Sequence, residues 1–184
     1  MKKIKVLTMA MSVLMVGALF VGCGKSNDST GGNSTEGTKY LIATDSKYAP
    51  FSFEEDGEYQ GIDVEILAAV AEESGFEYEL KPMDFNAIIP GLTSNQLDGA
   101  IAGMSITDER KQSLDFSDGY FESGLSIVVK GDNTTINGVD DINGKTVAVK
   151  KGTAGETWAL ENEATYNLNV VHFEDSPSMF LAVQ

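Results

Sequence analysis

The chain has 184 residues and carries 28 acidic against 13 basic side chains, a formal net charge of −15. A surface that acidic repels phosphate backbones, which argues against nucleic acid as a partner; its plainest use is solubility. With one cysteine and one histidine, a disulfide framework is excluded, and so is a zinc site built on several His or Cys ligands. No cofactor, metal or catalytic dyad is expected.

The N-terminus is set apart from the rest. MKKIK supplies three lysines, an apolar run follows through Gly22, and Cys23 comes next. A charged start, an apolar middle and small residues before a cut are the layout of a secretory signal over residues 1–22. A membrane-spanning anchor is the alternative, but the run is marginal in length for spanning and a polar stretch follows at once. LFVG before Cys23 resembles a bacterial lipobox, with Phe20 larger than the residue usual three places before the cysteine. Cys23 is therefore expected to be lipidated rather than a buried structural thiol. Residues 23–39 hold Gly, Ser, Thr and Asn with almost no apolar side chains, the composition of a flexible tether. Removing residues 1–22 removes three lysines and no acid, taking the net charge from −15 to −18.

From Tyr40 the pattern becomes globular. YLIAT reads as a strand, DSKYAPF as a loop, and FSFEEDGEYQG as a hairpin turning at Asp56-Gly57. IDVEILAAVAEESG reads as a helix stopped by Gly75, with Ile62, Ile66, Ala69 and Val70 near helical spacing. FEYELKP alternates as a strand, FNAIIPGLTSNQ is a short helix interrupted late by Pro90, and DGAIAG is a strand. LDFSDGYFESGLSIVVK is extended, with a β-rich second half. Then come a short helix or turn at GVDDINGK, a strand at TVAVK, a helix at TAGETWALENEA, a strand at NLNVVHF and a further helix at SPSMFLAVQ. Alternation of strands and helices argues for an α/β fold with mainly parallel sheets. His172, inside the last strand, reads as a packing or surface residue. NGKT, Asn143 to Thr146, is no phosphate loop: the first glycine of that motif would fall at Val139, and GKT here enters a strand instead of leaving one.

The stretch AGMSITDER, Ala102 to Arg110, carries the most chemistry. It follows a short buried strand, so Gly103, Met104 and Ser105 lie just past a carboxyl end, able to offer backbone N–H groups and a hydroxyl. Thr107 reads as an N-cap, with Asp108 and Glu109 in the first turn and Arg110 pointing back over the helix start. Exposed donors, a helix start and a guanidinium converging on one point make an anion seat. Phosphate, carboxylate or a neighbouring aspartate would each fit; on spacing alone a surface pair of Arg110 with Asp108 or Asp115 is an equal alternative. Phe85, next to Asp84 at a helix start, can face a cleft or pack in the core.

Six stretches in order, ATDSKYAPF, GIDVEIL, LKPMDFNAIIPGL, GMSITDERK, LDFSDGYFESG and GKTVAVKKGTAGE, resemble the solute-binding proteins of polar amino-acid ABC transporters. The run from LKPMDF through DFSDGY is similar to the glutamine-binding members, and the resemblance extends from Tyr40 to Gln184. It implies a periplasmic-binding-protein-like type II α/β fold, two lobes with a hinge and a cleft. Lobe 1 would take residues 40–119, the first hinge strand residues 120–125, and lobe 2 residues 126–184. The resemblance implies that Arg110 grips a ligand α-carboxylate, with Ser105 and nearby N–H groups completing the seat and the Gly103 carbonyl meeting the α-ammonium. It places Asp45 and Lys150 about the side-chain amide, Tyr48 and Phe85 on the cleft walls, and Thr153 and Ala154 in the facing loop. Ala154 stands where a glycine is frequent. The family's chain continues past the position of Gln184, so both the second lobe and the return to the first are expected to be incomplete here.

The implied function is an exported receptor, lipid-anchored through Cys23 to the outer face of the cytoplasmic membrane. It would capture a polar amino acid, with glutamine favoured, and deliver it to an ABC permease. It is not expected to be an enzyme. A sensory input module on the same fold is one alternative. A dehydratase-like enzyme is another, although no residue is clearly dedicated as a proton donor over the ligand.

Overall fold

A computed structural model describes residues 39–184. The signal-like segment, Cys23 and the tether up to residue 38 lie outside the described residues. Among the described residues, three small sheets carry the architecture. Strand β1 (Lys39–Asp45) is the centre of the first, between β5 (Glu77–Met83) and β6 (Gly99–Ala100), all parallel. Because β1 is flanked on both edges, its carboxyl half is buried at Ala43, Thr44 and Asp45, as parallel strands with two covered faces are.

The hairpin forms where turn chemistry puts it. Strand β2 (Lys47–Tyr48) pairs with β3 (Ser52–Glu55), which pairs with β4 (Glu58–Gln60). Asp56 and Gly57 have φ of 55° and 85°, the double positive φ of a hairpin turn matched to strand twist. Gly61 follows at φ 119°, where a Cβ would meet the Phe51 carbonyl oxygen at 2.4 Å. Gly61→Ala should therefore destabilise the fold by about 1–3 kcal/mol, read as a lowered thermal midpoint; an unchanged midpoint would show that the turn relaxes freely.

Helix α1 (Ile62–Ser74) ends at Gly75, which has φ 69° and donates its N–H to the Ala71 carbonyl, an αL cap as the sequence leads one to expect. Its buried face differs from the expected one. Asp63, Leu67 and Ala71 are buried, whereas Val70 is 48 % exposed. The i, i+4, i+8 row selected is the one that includes an aspartate.

Helix α2 (Phe85–Thr93) runs through Pro90 to its end. Thr93 and Ser94 hydroxyls donate back to the Ile89 and Pro90 carbonyls, satisfying end groups that the ladder leaves open. Its inner face supplies Phe85 and Ile88 to a core with Ala43, Leu97 and Ala102. Ile88 is fully buried, a contribution of roughly 1.5–3 kcal/mol. Helix α1 leads to β5 on one edge of β1, and α2 leads back across to β6 on the other. This reversal opens a crevice at the carboxyl ends of β1 and β6, the usual ligand position in open α/β sheets.

The second unit is β7 (Thr146–Lys150) beside parallel β8 (Asn169–Phe173), with α3 (Ala154–Glu161) between them and α4 (Ser176–Leu181) after them. Thr153 caps α3 by accepting the Glu156 N–H, and Asp175 caps α4 by accepting the Ser178 N–H. Asn143-Gly144 is a turn, with Gly144 at φ 69°. His172 lies on the surface, bonded to Glu156 at 2.7 Å.

Two sequence expectations fail here. Residues 120–125 form no strand; the whole run from Ser113 to Gly138 pairs with no other strand among the described residues. An extended segment becomes a strand only when a partner supplies the other half of the ladder. Thr107 precedes a single 310 turn at Arg110–Gln112 instead of opening an α-helix, and its Oγ1 accepts the Arg110 N–H at 3.2 Å. Among the described residues no helix is long and apolar enough to cross a membrane.

Candidate ligand cleft

All nine residues singled out as ligand contacts line one groove: Asp45, Tyr48, Phe85, Gly103, Ser105, Arg110, Lys150, Thr153 and Ala154. The groove, about 2210 Å³, exceeds the roughly 300–1,000 Å³ usual for a ligand pocket. It does so because the cleft runs without a break into an apolar face along Leu125, Ile127 and Phe180. Asp45 stands at the carboxyl end of β1 and Lys150 at that of β7, so each sheet delivers one charge to the cleft.

Those two charges meet. The Lys150 ammonium bonds an Asp45 carboxylate oxygen, with both side chains at or below 5 % exposure. The other Asp45 oxygen accepts the Lys47 N–H at 3.0 Å. Lys150 Nζ also lies 5.5 Å from the ring centroids of both Tyr48 and Phe85, within cation–π range. Burial, then the Asp45 and Asp63 carboxylates, push the Tyr48 phenol above its ordinary range, so it stays neutral. Asp45 and Lys150 are thus bonded directly to one another, where the sequence reading had them bracketing a ligand.

Arg110 is 9 % exposed and pairs with neither Asp108 nor Asp115. Its Nη1 donates to the Ser105 carbonyl at 2.6 Å and its Nη2 to the Gly152 carbonyl at 2.9 Å, while its guanidinium lies 5.8 Å from the Phe85 ring centroid. Burial draws its pKa below the ordinary arginine value, partly offset by Glu109; a guanidinium so placed remains charged. Ser105 meets Arg110 through its carbonyl, and its own side chain lies at the exposed lip. Ala154, the first residue of α3, and Thr153, its cap, face the cleft without bonding Arg110; Gly152 does that instead.

Three residues escaped the sequence reading. Gly152, at φ 75°, brings its loop so close to α2 that a Cβ would meet the Asn86 Cα at 2.9 Å. Its place between Lys151 and a helix cap was the available signal. Asp63 and Tyr120 form the other omission: the Tyr120 hydroxyl donates to Asp63 Oδ1 at 2.7 Å and accepts the Gly103 N–H at 3.1 Å. No local signal joins two residues 57 positions apart. At the rim, Lys47 pairs with Asp175 at 3.2 Å and Asn86 with Glu174 at 3.3 Å.

A crevice at strand carboxyl ends, faced by a second α/β unit and holding a buried guanidinium, is a place where α/β folds take small ligands. The chain matches the model of the bacterial extracellular solute-binding proteins, family 3, over residues 40–172, and it belongs to that family, with the type II periplasmic-binding fold. It is 38 % identical over 144 residues to the arginine-binding extracellular protein ArtP of Bacillus subtilis, covering 78 % of this chain and 55 % of ArtP. An ancestral arginine-binding protein solved with arginine superposes at TM-score 0.75 and 38 % identity, over 79 % of this chain and 65 % of that one. The same kind of ancestral protein, solved with glutamine, gives 0.73 and 38 %, over 79 % and 64 %. The chain spans about half the length of the curated relatives it matches. These relatives are named as amino-acid-binding proteins.

Proposed function

We propose that this protein is the solute receptor of an amino-acid ABC transporter. It takes a neutral polar amino acid, with glutamine favoured, and presents it to a permease in the membrane. The observation that carries the reading is Arg110, nearly buried at the crevice and turned toward the loop that bears Gly152. A guanidinium offers a planar fork of donors that matches an α-carboxylate two-to-two. Gly103 would turn its carbonyl to the α-ammonium, with Ser105, Thr153 and Ala154 closing round the seat.

Side-chain choice follows Lys150. Relatives carry names that specify arginine, cystine and histidine, so the family alone does not select a ligand. In this chain an ammonium already sits against both Tyr48 and Phe85, where a cationic side chain would stack. A cationic side chain there would carry the cost of meeting Lys150 as a like charge and of competing with it for Asp45. An amide, with a donor for Asp45 and an acceptor for Lys150, avoids that cost. Isothermal titration of the detergent-solubilised full chain with the twenty common amino acids tests the reading: glutamine should bind more tightly than glutamate and arginine. Tighter arginine binding would reverse the assignment of the side-chain pocket.

Cys23 is proposed as the lipidated anchor. Cys23→Ser should move the protein from the membrane fraction to the soluble exported fraction. Continued sedimentation with membranes would remove the lipid anchor from this account.

A further inference from the structure

We infer that Asp63 and Tyr120 act as a latch that fixes the backbone at Gly103, and so set how long a ligand stays in the seat. The inference rests on the receptor reading above. Asp63 is fully buried in the first turn of α1. Its Oδ1 accepts the Tyr120 hydroxyl at 2.7 Å, and its Oδ2 is buried without a hydrogen-bond partner among the described residues. The same hydroxyl accepts the Gly103 N–H at 3.1 Å. A carboxylate accepts only, so Tyr120 must donate to Asp63 and receive from Gly103, which fixes the order of the chain of bonds.

Gly103 lies at φ 54°, with Tyr48 so close that a Cβ would meet Cε1 at 2.7 Å, and Met104 after it leads directly to Ser105, whose carbonyl Arg110 holds. Tyr120 belongs to the run that has no strand partner. Among the described residues, its hydroxyl makes the hydrogen bonds that fasten residues 115–129 to the first sheet unit, helped by Phe121 packing on Phe51 at 5.0 Å. The segment joining the two units and the loop that seats the ligand therefore share one atom, the Tyr120 oxygen. Desolvation, and then the adjacent Asp63 carboxylate, raise the Tyr120 pKa, so the phenol keeps the proton it donates. Movement of the joining segment must break or carry the Gly103 bond, which couples cleft geometry to ligand retention.

The test is Tyr120→Phe in the full chain, which removes one oxygen and keeps the ring. Hydrogen exchange at the Gly103 amide should quicken about tenfold, and glutamine should dissociate about tenfold faster, the effect of losing one buried hydrogen bond. Exchange at Leu67 and Ala71 in α1 should stay as in the wild type. Asp63→Asn, which keeps an acceptor for Tyr120, should remain within about threefold of wild type, whereas Asp63→Ala should match Tyr120→Phe. Gly103 exchange and glutamine release both unchanged in Tyr120→Phe would overturn the latch. So would exchange that rises equally through α1, because Tyr120 would then support the fold at large. Should the wild-type chain bind no amino acid, the receptor reading fails, and Gly103 exchange still decides the latch.

Discussion

Arg110→Ala is expected to weaken amino-acid binding by about thirty-fold to several thousand-fold, the equivalent of roughly 2–5 kcal/mol. The size follows from burial. A ligand carboxylate taken out of water next to a charged fork loses its hydration, and with alanine in place nothing replaces it. Arg110 also ties the Ser105 and Gly152 carbonyls together across the cleft, so alanine loosens the seat as well as neutralising it. Arg110→Lys separates these effects: it restores the charge but not the planar fork or the two-point tie. Its affinity should stay nearer alanine than wild type. Titration of the three forms with glutamine, beside their thermal unfolding without ligand, gives the comparison. Wild-type affinity in Arg110→Ala would remove the carboxylate seat from the model of function.

What could be read from sequence was local. Asp56-Gly57 announced a hairpin because few residues tolerate two successive positive φ angles, and Gly75 announced a helix end for the same reason. The candidate seat at Gly103–Arg110 was legible because strand end, hydroxyls and arginine are packed into one short stretch. Reasoning from periodicity misplaced the face of α1, since Asp63 counts as polar and so as outward. Its burial depends on Tyr120, a partner far along the chain. The hinge strand that the resemblance implied at 120–125 is not paired among the described residues, because a strand needs a partner for the other half of its ladder and that is a matter of tertiary structure. The tie between Arg110 and Gly152 spans 42 positions, beyond any window of pattern.

The Asp45–Lys150 pair should be the point at which binding and stability are least separable. Its members lie 105 positions apart, at the ends of β1 and β7, so the pair joins the two sheet units as well as lining the groove. Asp45→Asn leaves a buried ammonium without its counter-charge, a loss of about 3–5 kcal/mol. For a chain of this size that lowers the thermal midpoint by roughly 6–20 °C. Lys150→Met should cost a similar amount by stranding the carboxylate. Changing both together, Asp45→Leu with Lys150→Met, removes two desolvation penalties at once and should recover most of the stability. It should not recover ligand choice, because the donor and acceptor for an amide are both gone. In Asp45→Asn the repulsion between Asp45 and a ligand glutamate disappears, so the preference for glutamine over glutamate should narrow even as the fold weakens. Thermal scans of the three variants, with titrations of both ligands on whichever remain folded, resolve the two roles. Single variants within about 1 kcal/mol of wild type, the range of an exposed pair, would show that water reaches these charges and that the pair neither joins the sheets nor chooses the ligand.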